Sequence, residues 1–163
     1  MNVTIRQYRE GDLPQMLEIW NEIVEDGIAF PQTEQLSLAA GTRFFSEKAW
    51  IGVAEEEETG KLLGLYILHP NNVGRCGHIA NATYGVRSTA RGLGAGEALV
   101  RHSIEKGREL GFRLLQFNAV VKTNYGAIHL YEKLGFVKIG LVPGGFFMKD
   151  GTFEDIILFY RNL

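Results

Sequence analysis

The sequence predicts a mixed α/β domain in which about seven strands form one sheet with four helices packed on it. Apolar residues alternate along the chain between a period of two and a period near 3.6. A glycine cluster falls where a strand pattern gives way to a long helical one. The chain has 163 residues, 45% of them hydrophobic, which suits one core and no second domain, so residues 1–163 read as a single unit.

Val3, Ile5 and Tyr8 predict a short first strand. Asp12 is a candidate helix cap, with Pro14 in the first turn and Gln15 three residues after the cap. Leu13, Met16, Leu17, Trp20, Ile23 and Val24 then recur at helical spacing, and Gly27 supplies a left-handed stop. Phe30-Pro31 breaks the chain before a second helix over about 33–48. Two strand patterns, 50–54 and 62–68, flank the acidic run Glu55 to Glu58, which reads as a solvated hairpin turn. A loop rich in Asn and Gly covers 69–77, followed by a strand over 78–86 that runs into the glycine cluster. A long amphipathic helix follows as far as Gly111, with Leu93, Val100, Ile104 and Leu110 on its apolar face. Strand 112–121, helix 124–134 closed by Gly135, and strands 136–142 and 153–160 complete the order β-α-α-β-β-β-α-β-α-β-β.

Composition excludes several classes of function. Seventeen Lys and Arg against nineteen Asp and Glu give a net charge of -2, so no overall positive field is available to hold nucleic acid or an anionic membrane surface. The single cysteine, Cys76, rules out an internal disulfide and fits a reducing, cytoplasmic location. His69, His102 and His129 lack partners at metal-ligand spacing, and no metal is expected. The N-terminus lacks the apolar block of a signal peptide, and no apolar run is long enough to span a bilayer.

Arg91-Gly92-Leu93-Gly94-Ala95-Gly96 lies between a strand and a helix, where unpaired N–H groups and the positive end of the helix dipole can cradle a phosphate. Dinucleotide-fold spacing fails, because the required glycine or alanine is Glu97 when read from Gly92 and Leu99 when read from Gly94. The nucleotide P-loop also fails, since no Lys-Ser or Lys-Thr follows. A tight strand-to-helix turn with no ligand is the plain alternative.

The R-x-x-G-x-G/A pattern after Val86 resembles the pyrophosphate loop of the GNAT acetyltransferases. A second stretch, Asn124-Tyr125-Gly126-Ala127-Ile128-His129-Leu130-Tyr131-Glu132-Lys133-Leu134-Gly135-Phe136, resembles that family's other hallmark, an Asn opening a helix that ends in Tyr-Glu-Lys-x-Gly-Phe. The resemblance covers most of the chain and is most specific from Ala82 to Phe136. It implies a mostly antiparallel GNAT sheet and acetyl-CoA as cosubstrate. By resemblance, Arg91, Gly92, Leu93, Gly94, Ala95 and Gly96 hold the pyrophosphate, while Tyr84, Val86 and Asn124 meet the pantetheine arm. Ala127 and Tyr131 complete the coenzyme contacts.

Amide formation requires a thiolate to leave, and a phenol beside the sulfur can protonate it, so Tyr131 is the expected general acid. Half-buried packing of the ring onto the sheet is its structural alternative. His78 is a candidate base on its ordinary titration range, with water relays or an already neutral amine as the other routes.

His78-Ile79-Ala80-Asn81-Ala82, Phe117-Asn118 and Thr123-Asn124 further resemble the fungal acetyltransferases of L-azetidine-2-carboxylate and related proline analogues. That likeness places Asn81 and Asn118 in the acceptor pocket, although this chain is shorter at its N-terminus, where much of that pocket is normally built. Neutral amides can hold a carboxylate or orient an amine without fixing it as ammonium. Phe30, Phe146 and Phe147 are candidate apolar walls. The expected reaction is acetylation of a small-molecule amine. Acetylation of a protein N-terminus or lysine, and acetyl-CoA binding without turnover, are the competing readings. The final strands are candidates for pairing two copies into a homodimer.

Overall fold

A computed structural model describes residues 2–163. In chain order the elements are β1 (Val3–Gln7), α1 (Leu13–Asp26), α2 (Leu38–Ser46), β2 (Trp50–Glu56), β3 (Leu62–Pro70), β4 (Ile79–Val86), α3 (Ala95–Glu109), β5 (Leu114–Val121), α4 (Tyr125–Lys133), β6 (Val137–Phe147) and β7 (Phe153–Asn162). The seven strands form one sheet in the order β1-β2-β3-β4-β5-β7-β6. Every pairing is antiparallel except β4 with β5. The predicted order of elements is therefore the observed one.

Each face of the sheet has its own core. On one side, α1 buries Met16, Ile19, Trp20 and Ile23 against Ile51, Val53, Leu65 and Ile67, with Phe30 and Phe45 closing the edge. On the other, Leu99, Val100 and Ile104 of α3 pack on Leu68, Ala80, Ala82, Leu115 and Phe117, and Leu130 and Tyr131 of α4 join the same cluster. Alternation along the strands feeds both layers at once, which is why the central strands read as nearly continuous apolar runs.

Four details depart from the sequence reading. Asp12 does not cap α1 with its side chain. Its carboxylate instead accepts from the Arg9 backbone N–H and pairs with Arg6, a stronger, charge-assisted use of the same oxygens. The second helix begins at Leu38, capped by Ser37, whose hydroxyl accepts the Ala40 N–H. Asn21 holds both the N–H and the C=O of Leu36, so the backbone there is pinned and no earlier helical turn can form. Strand β3 runs through His69 and Pro70, where the sequence predicts a loop. Strand β6 continues past Val142 to Phe147, because register shifts at Lys138/Gly140 and Val142/Phe146 absorb Pro143 on a free edge.

Arg6 bridges Asp12 and Glu55 from a largely enclosed position, tying β1 to both β2 and the start of α1. The hydrogen bonds from Arg6 hold the Asp12 carboxyl below its ordinary value. The resulting stabilisation is fully present above the unfolded-chain value and disappears as pH falls through the lower folded value. Asp12→Ala is expected to cost about 2–3 kcal/mol at neutral pH, with the gap to the native chain closing as pH falls below the ordinary carboxylate range. Urea unfolding at several pH values checks both the size and the sign.

Candidate active site

Strands β4 and β5 pair over only three positions, Ile79–Leu114, Ala80–Leu115 and Asn81–Gln116, and then separate. Beyond Asn81 the β5-facing edge of β4 is open, and its unpaired backbone groups are available to an extended ligand. Two adjoining cavities occupy this split. The larger, about 680 Å³, runs from the glycine loop past Val86 and Tyr84 to Asn124, Ala127 and Tyr131. The smaller, about 300 Å³, lies between Asn81, Asn118 and the segment around Phe30. Phe30, Tyr84, Asn124, Ala127 and Tyr131 line both.

The larger cavity ends at the head of α3. Gly92 and Gly94 have φ of 78° and 84°, a region that side chains with a Cβ rarely enter, and the space beside each is open. Glycine is thus required here by the backbone turn, which exposes its N–H groups. From Gly92 to Glu97 these find no protein acceptor among the described residues, and they point from a helix N-terminus, as a diphosphate site needs. Arg91, Gly92 and Gly96 line the cavity, whereas Leu93, Gly94 and Ala95 do not. Gly94 caps α3, Ala95 is buried beneath it, and the Leu93 side chain is exposed. The Arg91 guanidinium lies 3.7 Å from Asp26 across the mouth.

Tyr131 stands where the cavities meet. Its ring is held by Phe117 at 4.5 Å, Phe136 at 5.7 Å and Phe159 at 5.8 Å between centroids. Its hydroxyl bonds no other side chain or backbone group among the described residues, and burial pushes its pKa up, so the proton stays on at neutral pH. The neighbouring phenol of Tyr84 is already committed: it lies 2.7 Å from the Ser103 hydroxyl, which in turn donates to the Val100 carbonyl. Of the two phenols, Tyr131 is the one free to serve a ligand.

In the smaller cavity, Asn81 donates to the Gln116 carbonyl at 3.0 Å, bracing the last rung before the strands part. Asn118 lies in the irregular stretch of β5 between Phe117 and Val120, where the ladder with β7 shifts register. Its amide donates to Asn71 at 2.6 Å and accepts from Gln116 at 3.0 Å. Asn71, whose Oδ1 accepts from both Asn81 and Asn118, is the hub of this network, and no motif marks it within the Asn-rich loop that the sequence predicts. Phe30 lines both cavities as expected. Phe146 and Phe147 line neither; Met148 takes the wall position, because the Lys149 N–H donates to the Gly27 carbonyl and draws the end of β6 over α1. His78 is exposed at the start of β4 and faces neither cavity. The histidine and the cation in the smaller cavity are His69, which the sequence marks only as lacking metal-ligand partners, and Lys48, which no motif marks. No metal-binding cluster is present among the described residues.

A split mixed sheet, an anion-binding turn at a helix head and a free phenol between two cavities define a protein built to bring two small ligands together. The chain belongs to the acetyltransferase (GNAT) family, whose profile matches residues 13–136. It is 28% identical to the L-methionine sulfoximine/L-methionine sulfone acetyltransferase of Pseudomonas aeruginosa, over 100% of this chain and 96% of that protein. It is 36% identical to N-acetyltransferase aca1 of Schizosaccharomyces pombe over half of this chain, a match that spans 39% of the length of aca1. A GCN5-related N-acetyltransferase from Kribbella flavida superposes with a TM-score of 0.92 at 32% identity, covering 99% of this chain and 98% of the other. A phosphinothricin acetyltransferase from Sinorhizobium meliloti, solved with AcCoA, superposes with a TM-score of 0.92 at 26% identity, covering 100% of this chain and 89% of the other. No helix among the described residues is long and apolar enough to cross a membrane.

Proposed function

We propose that this chain moves the acetyl group of acetyl-CoA to the primary or secondary amine of a small molecule, an amino acid or amino acid analogue, by direct attack in a ternary complex. The observation that carries this is the single free phenol at the junction of a long cavity, headed by unpaired N–H groups, and a short one that suits an acceptor. In this reading the loop amides from Gly92 to Gly96 grip the diphosphate, and Tyr84, Val86, Asn124 and Ala127 border the arm. Tyr131 meets the sulfur, while Asn81 and Asn118 orient the acceptor.

The acceptor cavity itself supports the substrate class. At about 300 Å³ it is sized for a small molecule. Its lining contains Lys48 and His69 but no carboxylate, so nothing there would hold the acceptor amine as an ammonium ion. Lys48 stacks over Phe44 at 4.1 Å and makes no ion pair among the described residues. A cation without a counter-ion is suited to a substrate carboxylate. Methionine sulfoximine and phosphinothricin, for which the two relatives are named, are both amino acids.

Incubating the protein with acetyl-CoA and a panel of amino acids and proline analogues should release free CoA thiol and acetylated product. Acetyl-CoA binding without thiol release from any amine would refute the proposal. Lys48→Met is expected to raise KM for carboxylate-bearing acceptors about 10- to 100-fold, the worth of one charged hydrogen bond. KM for acetyl-CoA should not change, and amines that lack the carboxylate should be affected far less.

The free edge strand β6 exposes Val137, Ile139, Leu141 and Val142, each 45–54% accessible. An apolar edge of that length supports pairing with a second copy of the chain. Sedimentation should then show a dimer that Leu141→Lys dissociates. A reducing, cytoplasmic location is consistent with the free and exposed Cys76.

A further inference from the structure

We infer that His69 is the general base that takes the acceptor's proton, a role resting on the acetyl transfer proposed above. His69 sits on β3 directly opposite Asn81 of β4. Paired residues of an antiparallel ladder project to the same face, so imidazole and amide stand side by side, and both line the acceptor cavity. The Nδ1 atom lies 2.9 Å from the Pro70 carbonyl oxygen. A carbonyl can only accept, so Nδ1 must carry a hydrogen, and in the neutral ring Nε2 keeps its lone pair. The register thus delivers a basic nitrogen with a fixed tautomer to the pocket where the amine would bind.

The surroundings keep that nitrogen unprotonated. Burial lowers the pKa of His69, the hydrogen bond to the Pro70 carbonyl opposes it in part, and the nearby charge of Lys48 adds a smaller downward push. The other titratable groups of the cavity are the phenols of Tyr84 and Tyr131, both pushed to higher values by burial and therefore neutral. No carboxylate lines the cavity to pull the imidazole back toward its charged form. His69 belongs to the α1/α2 face, sharing it with Ile67, whereas Tyr131 packs in the α3/α4 core. Base and acid therefore approach the split between β4 and β5 from opposite faces of the sheet.

The proton balance closes with these two groups. Nε2 of His69 removes one proton from the acceptor ammonium, and the freed amine forms a C–N bond to the thioester carbonyl carbon. Collapse of the adduct breaks the C–S bond, and its electron pair leaves on sulfur, which takes the Tyr131 phenolic proton. The second amine proton restores the phenol, and imidazolium releases its proton to solvent. The net products are the amide, CoA thiol and one proton.

The test compares His69→Gln with the native protein, using acetyl-CoA and L-methionine sulfone over about pH 5.5–9.5. The native profile of kcat should fall on the acid side with an apparent pKa below the ordinary histidine value. His69→Gln should lose that limb and about 10²-fold in kcat near neutrality, while KM for acetyl-CoA and Tm stay close to native. Its remaining activity should climb with pH as the amine deprotonates unaided. A variant that retains both the native kcat and the native acid limb overturns the assignment. If no acceptor releases CoA, the proposed function fails on its own account, and 15N NMR of the histidine ring still decides here. A bare Nε2 at neutral pH supports the role, and an Nε2–H tautomer or an imidazolium refutes it.

Discussion

Tyr131→Phe is expected to lower kcat by about 10²- to 10³-fold, the range measured when a positioned acid or a donor to developing negative charge is removed. The substitution deletes one oxygen and leaves the ring, which is what packs against Phe117, Phe136 and Phe159. Since the hydroxyl bonds nothing else among the described residues, its loss strands no partner, and Tm should stay within about 2 °C of native. KM for acetyl-CoA should change little, because the thioester is bound as tightly without a proton to offer it. A purely structural tyrosine would give the opposite result, a shifted Tm with kcat near native. The phenol also constrains the alkaline side of the pH profile. Burial holds its proton in place well above the ordinary tyrosine range, so Tyr131 should contribute no loss of rate below about pH 10. Steady-state kinetics and thermal unfolding on the same preparations separate these outcomes.

What could be read from the sequence is what a local backbone demand dictates. Gly92 and Gly94 are visible as a loop because their positive φ requires glycine wherever such a turn precedes a helix. The α1 face is legible from periodicity, and Tyr131 from a contiguous motif made of one helix, its Asn124 cap and the turn at Gly135 that ends it. Features built by residues distant in sequence were not legible. Asn118 is named by the family resemblance, but the register shift between β5 and β7 that positions it is announced by nothing in Phe117-Asn118-Ala119, because it depends on the partner strand. The sequence predicts a loop at His69 because Pro70 and the asparagines after it are turn formers. Pairing with Ala80 and Asn81 overrides that preference and carries β3 two residues further. Lys48 follows α2 and enters the cavity only because that helix packs on α1. Asp12 shows the reverse error, a local capping rule outcompeted by an arginine six residues earlier in the chain.

Phe117→Ala is expected to cost about 3–5 kcal/mol, the largest stability loss of any substitution considered. Phe117 is 4% exposed and touches both sides of the cleft. Its ring stacks on Phe136 at 4.7 Å, meets Tyr84 edge-on at 5.7 Å and contacts Tyr131 at 4.5 Å. It is also the last residue of β5 paired with β7, opposite Phe159, before the register shifts. Removing the ring therefore opens a void at the point where the sheet divides, and no neighbouring backbone can move in without disturbing the split itself. Tm should drop by about 10 °C or more, and kcat should fall as well, because one wall of the aromatic box that aims the Tyr131 hydroxyl is gone. Phe117→Leu keeps most of the volume, so its stability loss should be near 1 kcal/mol while kcat still declines. Thermal unfolding with and without acetyl-CoA distinguishes the two contributions. A ligand that binds only the folded state raises Tm according to its affinity, so a cleft that is destabilised but correctly shaped regains part of its Tm on saturation. A Phe117→Ala protein that unfolds at the native temperature would show that the aromatic box does not hold the divided sheet together.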